Sequence, residues 1–157
     1  MNEIIIRKAR LDDLGILLEF EQGVVEAERP MDVTLKGEGV KYYDIKKLIT
    51  SSDSECLVAE SSKQVIGSGY VLIKKALPYL VHDRFGYLGF MYVDPAFRRR
   101  GVNQMILKSL MNWCKGQGLT ELRLGVYETN EGAIKAYEKV GFAKHLVEMR
   151  LNLDDVE

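Results

Sequence analysis

The first third of the chain has the hydrophobic pattern of one strand followed by two helices. Three isoleucines in residues 3–7 are typical of a short strand. From Leu11 to Val25 the leucines and valines recur at near-helical spacing. Residues 28–39 interrupt this pattern, because the residue before Pro30 is pushed away from helix. The pattern resumes at residues 42–49, which predict a second helix.

The middle of the chain predicts three strands and a long helix. Residues 55–60 and 64–73 read as a hairpin-like pair of strands, and residues 87–93 as a third strand of the same sheet. A helix follows from Gly101, with apolar side chains on one stripe from Val102 to Trp113. It ends at the lysine and glycine of "KGQG".

The last third predicts two more strands around a short helix. Residues 121–127 alternate between apolar and polar positions, and residues 144–153 form a last strand. Between them lies a helix that Thr129 or Asn130 can cap and that Gly141 ends. The resulting order, β-α-α-β-β-β-α-β-α-β, predicts an α+β (mixed α/β) fold with helices covering one sheet. We expect a single domain over residues 1–157, because no repeat or linker divides the chain.

Composition narrows the function classes. Apolar residues make up 46% of the chain and charged residues 29%, which favours a packed core over disorder. The net charge of −1 argues against a broad nucleic-acid surface. Cys56 and Cys114 lack metal-type spacing, so no metal site is expected. The start of the chain is too weakly apolar for a signal peptide or a membrane span, so we expect a cytoplasmic protein without a membrane partner.

The stretch "VDPAFRRRGVNQMI", residues 93–106, carries the main functional signal. A strand, a tight turn and a helix N-terminus form an anion site, because the first helical N–H groups lack partners and the helix dipole adds positive charge. Gly101 lets a ligand approach the backbone, and the arginines before it add charge. A solvated basic turn is the alternative reading. The stretch matches neither the P-loop pattern nor the dinucleotide fingerprint.

Two motifs together resemble the GNAT superfamily of N-acetyltransferases. The first is Arg98-x-x-Gly101-x-Asn103 after "VDP", and the second is "NEGAIKAYEKVGF" in residues 130–142. The family's first motif is Gln/Arg-x-x-Gly-x-Gly/Ala, from which Asn103 departs. The resemblance implies a GNAT-like fold, with a mostly antiparallel twisted central sheet of six to seven strands and about four flanking helices. Its splayed parallel central pair would be residues 87–93 and 121–127.

The resemblance also implies acetyl-CoA as the cosubstrate, without a metal. By this match, residues of the third predicted strand, the turn and the two helix starts would contact acetyl-CoA: Met91, Val93, Arg98, Arg99, Arg100, Gly101, Val102, Asn103, Gln104 and Asn130. A backbone N–H near Tyr92 or Val93 would stabilise the developing oxyanion. Tyr137 matches the family's general acid and lies two helical turns after Asn130, on the same helix face. Its structural alternative is a tyrosine that packs in an apolar stripe.

The general base and the acceptor site are less defined by the motifs. Some relatives have a glutamate where this chain has Tyr87, so the base is a water relay or an acid of the N-terminal helices, with Glu21, Glu26 and Glu28 as the candidates. Glu26, Glu28 and Asp32 could attract a cationic amine. Tyr42 and Tyr43 could form the wall of an acceptor pocket. The predicted substrate-side residues are Glu28, Arg29, Tyr43 and Tyr87.

The sequence therefore favours an N-acetyltransferase that transfers acetyl from acetyl-CoA to a primary amine by direct attack, with a small molecule or an amino acid as acceptor. A covalent acetyl-enzyme is disfavoured, because Cys56 lies in a predicted strand and Cys114 on the core side of the long helix. The alternatives are a non-catalytic acyl-CoA-binding or sensing domain and a protein or peptide N-acetyltransferase. An unrelated nucleotide-phosphate binder would not explain the Asn130–Tyr137 helix. A homodimer is possible through residues 144–153 as an edge strand.

Overall fold

The computed structural model describes residues 2–157 and shows one sheet flanked by helices. The strands are β1 (Ile4–Lys8), β2 (Ser54–Ser61), β3 (Gln64–Lys75), β4 (Arg84–Val93) and β5 (Leu122–Arg123). The α-helices are α1 (Leu14–Glu28), α2 (Ile45–Thr50), α3 (Val102–Gly116) and α4 (Glu131–Lys139). Short 3-10 helices lie at Leu11–Asp13, Arg29–Met31, Pro95–Phe97 and Leu153–Asp155.

The sheet has the strand order β1-β2-β3-β4-β5. The pairs from β1 to β4 are antiparallel, and β4 and β5 are parallel. This confirms the predicted mixed α/β class, the mostly antiparallel sheet and the four helices. The prediction of six to seven strands is not confirmed, because the described chain forms five.

The difference in strand number lies at the C-terminal side of the sheet. Only residues 122–123 of the predicted strand 121–127 are paired, and residues 144–153 form no strand. A strand exists only where its backbone groups find partners. The alternation of side chains in both segments is compatible with a strand, but the chain offers neither segment a full-length neighbour.

Two hydrophobic cores lie on the two faces of the sheet. On one face α3 packs Ile106 and Leu110 against β2, β3 and β4. Gly69 allows this close approach, because a Cβ atom there would lie 2.8 Å from Cγ2 of Ile106. On the other face α1 and α2 pack Leu17 and Ile45 against the sheet. The outer surface of this second core leads to the acceptor-side residues described below.

A buried ion pair joins β1 to the start of α1. Both guanidinium NH2 groups of Arg7 donate to the carboxylate of Asp13 at 2.9 Å, and the Arg10 backbone N–H donates to it at 2.7 Å. The hydrogen bonds from Arg7 lower the pKa of Asp13 more than burial raises it. Asp13 is buried, so the carboxylate depends on these donors for solvation.

We expect Asp13→Asn to lower the free energy of unfolding by about 2 kcal/mol, because it removes one of the two carboxylates that pair with the partly buried Arg7 guanidinium, the other being Glu60. Urea denaturation at pH 7 measures this. Asp12→Asn is the matched control, since Asp12 is exposed and should change stability by less than about 0.5 kcal/mol.

The pH dependence gives a second readout of the same pair. The pKa of Asp13 is lowered in the folded state. Its contribution to the free energy of unfolding is therefore complete above the ordinary carboxylate pKa of about 3.9. It is lost as the pH falls through the folded pKa. The stabilities of the wild type and Asp13→Asn should therefore converge in acid, and a constant difference down to low pH would contradict the assignment.

Candidate active site

The parallel pair β4–β5 lies at one edge of the five-stranded sheet rather than at its centre as predicted, and its pairing ends after the first residues. Its register contains only Gly86 opposite Leu122 and Tyr87 opposite Arg123. Beyond Tyr87, strand β4 keeps β3 as a neighbour on one side and has no β5 partner on the other. The backbone groups on that open side are free to bind an extended ligand in the manner of an added strand.

A bulge in β4 lies at the opening. Ser68 pairs with Tyr92 and Tyr70 with Gly89, so Phe90 and Met91 together oppose Gly69. Phe90 has a φ of 57°, a left-handed conformation that is rare outside glycine. The buried Ser68 hydroxyl donates to the Phe90 carbonyl oxygen at 3.0 Å and holds this conformation. Bulges bend a strand, so this one turns the end of β4 away from its original direction.

The N-terminus of α3 is open for an anion. Gly101 precedes the helix with a φ of 77°, and the first helical hydrogen bond runs from the Met105 N–H to the Gly101 carbonyl at 3.1 Å. Within the described chain, the N–H groups of Val102, Asn103 and Gln104 have no hydrogen-bond acceptor. No atom lies within 4 Å of the place where a Cβ of Gly101 would stand. A ligand phosphate could reach these N–H groups.

The three arginines before Gly101 have different surroundings. Arg98 Nε donates to the Val93 carbonyl oxygen at 3.1 Å, so Arg98 ties the turn to the end of β4. The Arg100 guanidinium lies 5.1 Å from the centroid of the Phe97 ring. Arg99 is exposed and has a φ of 65°. None of the three forms an ion pair with residues 2–157, so their charge is available to an anion at the helix N-terminus.

Helix α4 presents Asn130 and Tyr137. The Asn130 side-chain oxygen accepts from the Ala133 N–H at 3.3 Å, so Asn130 caps the helix. Tyr137 packs edge-on against Phe142, with ring centroids 5.9 Å apart, and contacts the core on the α3 side. Its hydroxyl forms no hydrogen bond within the described chain. Burial, and then the charge of Glu28, raise the pKa of Tyr137 to about 12, so the phenol is neutral near pH 7.

Glu28, at the C-terminal end of α1, is the carboxylate that faces these tyrosines. It is half-buried, and burial is the main cause of its raised pKa. Its charge also contributes to raising the pKa values of Tyr42 and Tyr127. The Tyr42 hydroxyl is buried next to Glu28, and burial followed by the interaction with Glu28 raises the pKa of Tyr42 to about 12. Glu28 and three phenols thus form one electrostatically coupled group, which we name the Glu28 cluster: Glu28, Tyr42, Tyr127 and Tyr137.

A hydrogen bond across the fold holds one side of the Glu28 cluster. The Tyr127 hydroxyl donates to Asp32 Oδ2 at 2.5 Å, although the two residues lie 95 positions apart. The Thr34 hydroxyl and N–H donate to the other carboxylate oxygen. Hydrogen bonds from Thr34 and then Tyr127 lower the pKa of Asp32 to about 2. Tyr127 was missed by the sequence analysis, because no short-range pattern indicates a partner so distant in the chain.

The other acids and Arg29 have structural contacts. Glu21 is buried and its Oε2 accepts the N–H groups of Tyr42 and Tyr43, both at 2.8 Å. Arg29 donates to Glu26 Oε1 at 2.7 Å and to the Lys36 carbonyl at 2.6 Å. Of the three acids predicted as the base, only Glu28 contributes to the raised pKa of Tyr137.

Tyr43 adjoins the Glu28 cluster, since its ring centroid lies 5.7 Å from that of Tyr42, whereas Tyr87 lies apart from it. Tyr43 packs between Tyr70 and Phe90, at centroid distances of 5.6 and 4.8 Å, and burial strongly raises its pKa. A cavity of about 290 Å³ adjoins Tyr42 and Tyr43. The Tyr87 ring lies 4.1 Å from Lys74 Nζ, near the closed end of the β4–β5 pair.

Both cysteines are unsuited to nucleophilic catalysis. Cys56 and Cys114 are buried, and burial raises their pKa values to about 12 and about 11. Since the thiolate is the reactive form, both remain inert thiols near neutral pH. Among residues 2–157 there is also no group of three or more potential metal ligands, and no helix there is long and apolar enough to span a membrane.

The opened parallel pair and the free helix N-terminus suit a cosubstrate with an extended arm and phosphates, as an acyltransferase requires. The chain belongs to the Acetyltransferase (GNAT) family, whose family model matches residues 22–142. The family and the acyltransferase class predicted from the sequence are therefore confirmed.

Relatives within this family differ in their acceptors. The chain is 26% identical to thialysine N-epsilon-acetyltransferase from Sus scrofa, over 94% of this chain and 88% of the relative. It is 28% identical to the ribosomal protein bS18-alanine N-acetyltransferase from Haemophilus ducreyi, over 83% of this chain and 76% of the relative. The solved structure of a predicted acetyltransferase with acetyl-CoA from Clostridium acetobutylicum has the same fold, with a TM-score of 0.73, 20% identity and 98% coverage of both chains.

Proposed function

We propose that the protein transfers an acetyl group from acetyl-CoA to the primary amine of a small molecule by direct attack in a ternary complex. The observation that carries this proposal is the open edge of β4 beyond Tyr87, which is followed along the chain by the unpaired N–H groups at the start of α3. Burial and then the charge of Glu28 raise the pKa of the Tyr137 phenol, so Glu28 and Tyr137 are the candidates for the two proton-handling roles. One is suited to accept a proton and the other to donate a hydrogen bond.

The residues at the α3 N-terminus fit the cosubstrate. Val102, Asn103 and Gln104 supply free N–H groups for the pyrophosphate, with charge from Arg99 and Arg100. Asn103 adds a side chain without a hydrogen bond of its own, which can contact the same phosphates.

The open edge of β4 fits the pantetheine arm. The strand at Met91 and Val93 has no β5 neighbour, so its backbone can pair with the pantetheine amides. The Arg98 side chain donates to the Val93 carbonyl oxygen, so its role is to hold the turn closed against the end of β4. The side-chain NH2 group of Asn130 is free to donate to the arm, while its oxygen caps α4.

The proposed chemistry needs one proton acceptor and one hydrogen-bond donor from the protein. Glu28 takes a proton from the ammonium form of the acceptor. The amine nitrogen then bonds to the thioester carbonyl carbon, and the carbon–sulfur bond breaks. Tyr137 donates a hydrogen bond to the departing sulfur; a free thiol has a pKa of about 8.5, so the thiolate needs only modest stabilisation. The products are the N-acetylated amine and the CoA thiol: of the two protons that the ammonium nitrogen loses, one ends on the departing sulfur and the other is released from Glu28 to solvent.

The acceptor is proposed to be a small cationic amine. Glu28 and Asp32 place two carboxylates at this side of the site, and the pKa of Asp32 is held near 2, so it stays charged. The relative from Sus scrofa, which matches this chain nearly end to end, is named for thialysine, a small molecule with an amine. A protein N-terminus, as in the relative from Haemophilus ducreyi, is the competing acceptor.

Thiol release from acetyl-CoA, measured across a panel of amines, tests the proposal. The panel contains thialysine, lysine, short diamines and a peptide that begins with alanine. We expect thialysine, lysine or a diamine to exceed the peptide by at least about tenfold, since each carries a second cationic amine that Asp32 can contact, and one well-placed charge contact is worth about 1.4 kcal/mol or more. Thiol release with the peptide alone would indicate that the acceptor is a protein N-terminus. No release with any amine would leave an acyl-CoA-binding domain without transfer.

We expect Glu28→Gln to lower kcat/KM for the amine by about 100-fold, the usual range for a removed general base. Because burial raises the pKa of Glu28, wild-type kcat/KM should rise with pH through a value above that of an ordinary glutamate. This acid limb should disappear in Glu28→Gln.

Glu19→Gln is the matched control, since Glu19 is an exposed acid on the same helix. It should leave both kcat/KM and the pH profile unchanged. A Glu28→Gln variant that kept the wild-type acid limb would show that another group accepts the proton.

A further inference from the structure

The C-terminal segment, residues 144–153, has the side-chain pattern of a strand without a partner. Its odd-numbered positions form a mostly apolar face: His145, Val147, Met149, Leu151 and Leu153. The even positions are mostly charged or polar. Such alternation is typical of a strand with one face against a core. In the single chain, however, Val147 is 79% exposed and Met149 is 90% exposed, and the other large apolar side chains of the segment are exposed as well.

The backbone of the segment is equally without partners. No N–H or carbonyl group of residues 144–151 forms a backbone hydrogen bond with any part of residues 2–157. Asn152, near the end of the segment, has the extended dihedrals φ −90° and ψ 114°. As a strand, ten residues would span about 33 Å at 3.3 Å per residue, and an exposed apolar face of that length is unusual on a soluble domain.

The same chain carries an unpaired sheet edge. β5 is the last strand of the sheet and pairs with β4 alone. Residues 124–127, which follow it, belong to no strand, and Val126 is exposed. Each copy therefore has a sheet edge, at β5, without a neighbouring strand. It also has a strand-like segment, residues 144–153, without a sheet edge to pair with.

We propose that two copies of the chain exchange their C-terminal segments, so that each segment pairs with the β5 edge and residues 124–127 of the other copy. The start of the segment supports exchange over pairing within the chain. Gly141 turns the chain with a φ of 113°, and Phe142 packs against Tyr137. Among residues 2–157, no strand pairing or backbone hydrogen bond joins residues 144–151 to the sheet of their own chain.

In a two-fold symmetric dimer, one interface provides a pairing partner for both the β5 edge and the C-terminal segment. The contact is reciprocal, because the segment of each copy covers the edge of the other, and it closes after two copies. The apolar face around Val147 and Met149 is removed from water in the same step. The exchange requires no other partner, since the chain itself supplies both complementary surfaces.

Sedimentation velocity and hydrogen exchange on the wild type test the dimer and the segment together. We expect a dimer at micromolar concentration, with amides 145–151 protected, although a lone chain would leave them without hydrogen bonds. A monomer overturns the proposal whether or not these amides are protected. A dimer with unprotected amides in the segment overturns it too.

A matched pair of variants tests whether the apolar face forms the interface. Met149→Lys should weaken dimerisation at least tenfold and remove the protection of the segment. Val33→Lys places the same charge at an equally exposed apolar residue, 82% exposed, and should change neither. Dimerisation of Met149→Lys at wild-type affinity would overturn the proposal.

Cross-linking distinguishes exchange from pairing within one chain. The double variant Val126→Cys/Val147→Cys carries two accessible thiols, because the native cysteines are buried. A flexible bismaleimide should then give covalent dimers on a denaturing gel. A cross-linked monomer as the main product would show that the segment pairs with its own edge. None of these readouts depends on acetyl-CoA or on activity.

Discussion

Tyr137→Phe is expected to lower kcat by about 100-fold while the affinity for acetyl-CoA stays unchanged, since removal of a positioned acid–base group costs about 10² to 10⁴ in rate. The substitution removes only the hydroxyl, which has no hydrogen-bond partner in the protein. The ring keeps its edge-on contact with Phe142 and its place against the α3 core. Steady-state kinetics with saturating acetyl-CoA, together with a thermal unfolding curve, separates lost chemistry from lost structure.

The control for this substitution is Tyr79→Phe. Tyr79 lies in the loop between β3 and β4 and is exposed, so loss of its hydroxyl should change neither kcat nor stability. Wild-type turnover in Tyr137→Phe would remove Tyr137 from the mechanism and leave it as a packing residue. The raised pKa, about 12, also predicts that no basic limb from Tyr137 enters the pH profile below about pH 10.

Gly101→Glu is expected to weaken acetyl-CoA binding by at least about 100-fold, or 2.7 kcal/mol. The new side chain would occupy the open space before the free N–H groups of Val102 and Asn103, and its carboxylate would repel the phosphates. A non-glycine residue at a φ of 77° also costs about 1–2 kcal/mol of stability. Calorimetric titration with acetyl-CoA measures the change in Kd.

Gly39→Glu separates these two effects. Gly39 has a φ of 71° and no atom within 4 Å of its missing Cβ, so glutamate there imposes the same backbone strain and the same charge. It should lower stability similarly and leave the Kd for acetyl-CoA unchanged. Equal loss of binding in both variants would attribute the effect of Gly101→Glu to general destabilisation.

The parts of the fold that follow local rules could be predicted from the sequence. The stripe from Val102 to Trp113, bounded by Gly101 and the "KGQG" turn, predicted a helix that the structure has as Val102–Gly116. The turn with its free N–H groups also followed from residue order alone, because a helix N-terminus always leaves donors unpaired.

The features that depend on distant partners could not be predicted in this way. The bulge at Phe90 needs a positive φ in a residue type that gives no sign of it, and the bond from Tyr127 to Asp32 joins residues 95 positions apart. The strand pattern of residues 144–153 was visible, but pairing depends on an available edge, which the single chain does not supply. The sequence alone offered three acids as the base. The structure distinguishes them, because Glu21 accepts from a backbone N–H and Glu26 from Arg29, which leaves Glu28 as the candidate.

Calorimetric titration of the wild-type protein with acetyl-CoA, with ATP and NAD as controls, tests the central claim most directly. We predict saturable binding of acetyl-CoA in the micromolar range and much weaker binding of the other two, because only the pantetheine arm can pair with the open edge of β4. Binding of all three with similar affinity would reduce the site to a general phosphate-binding turn. No binding of acetyl-CoA would contradict the proposed acetyl transfer altogether.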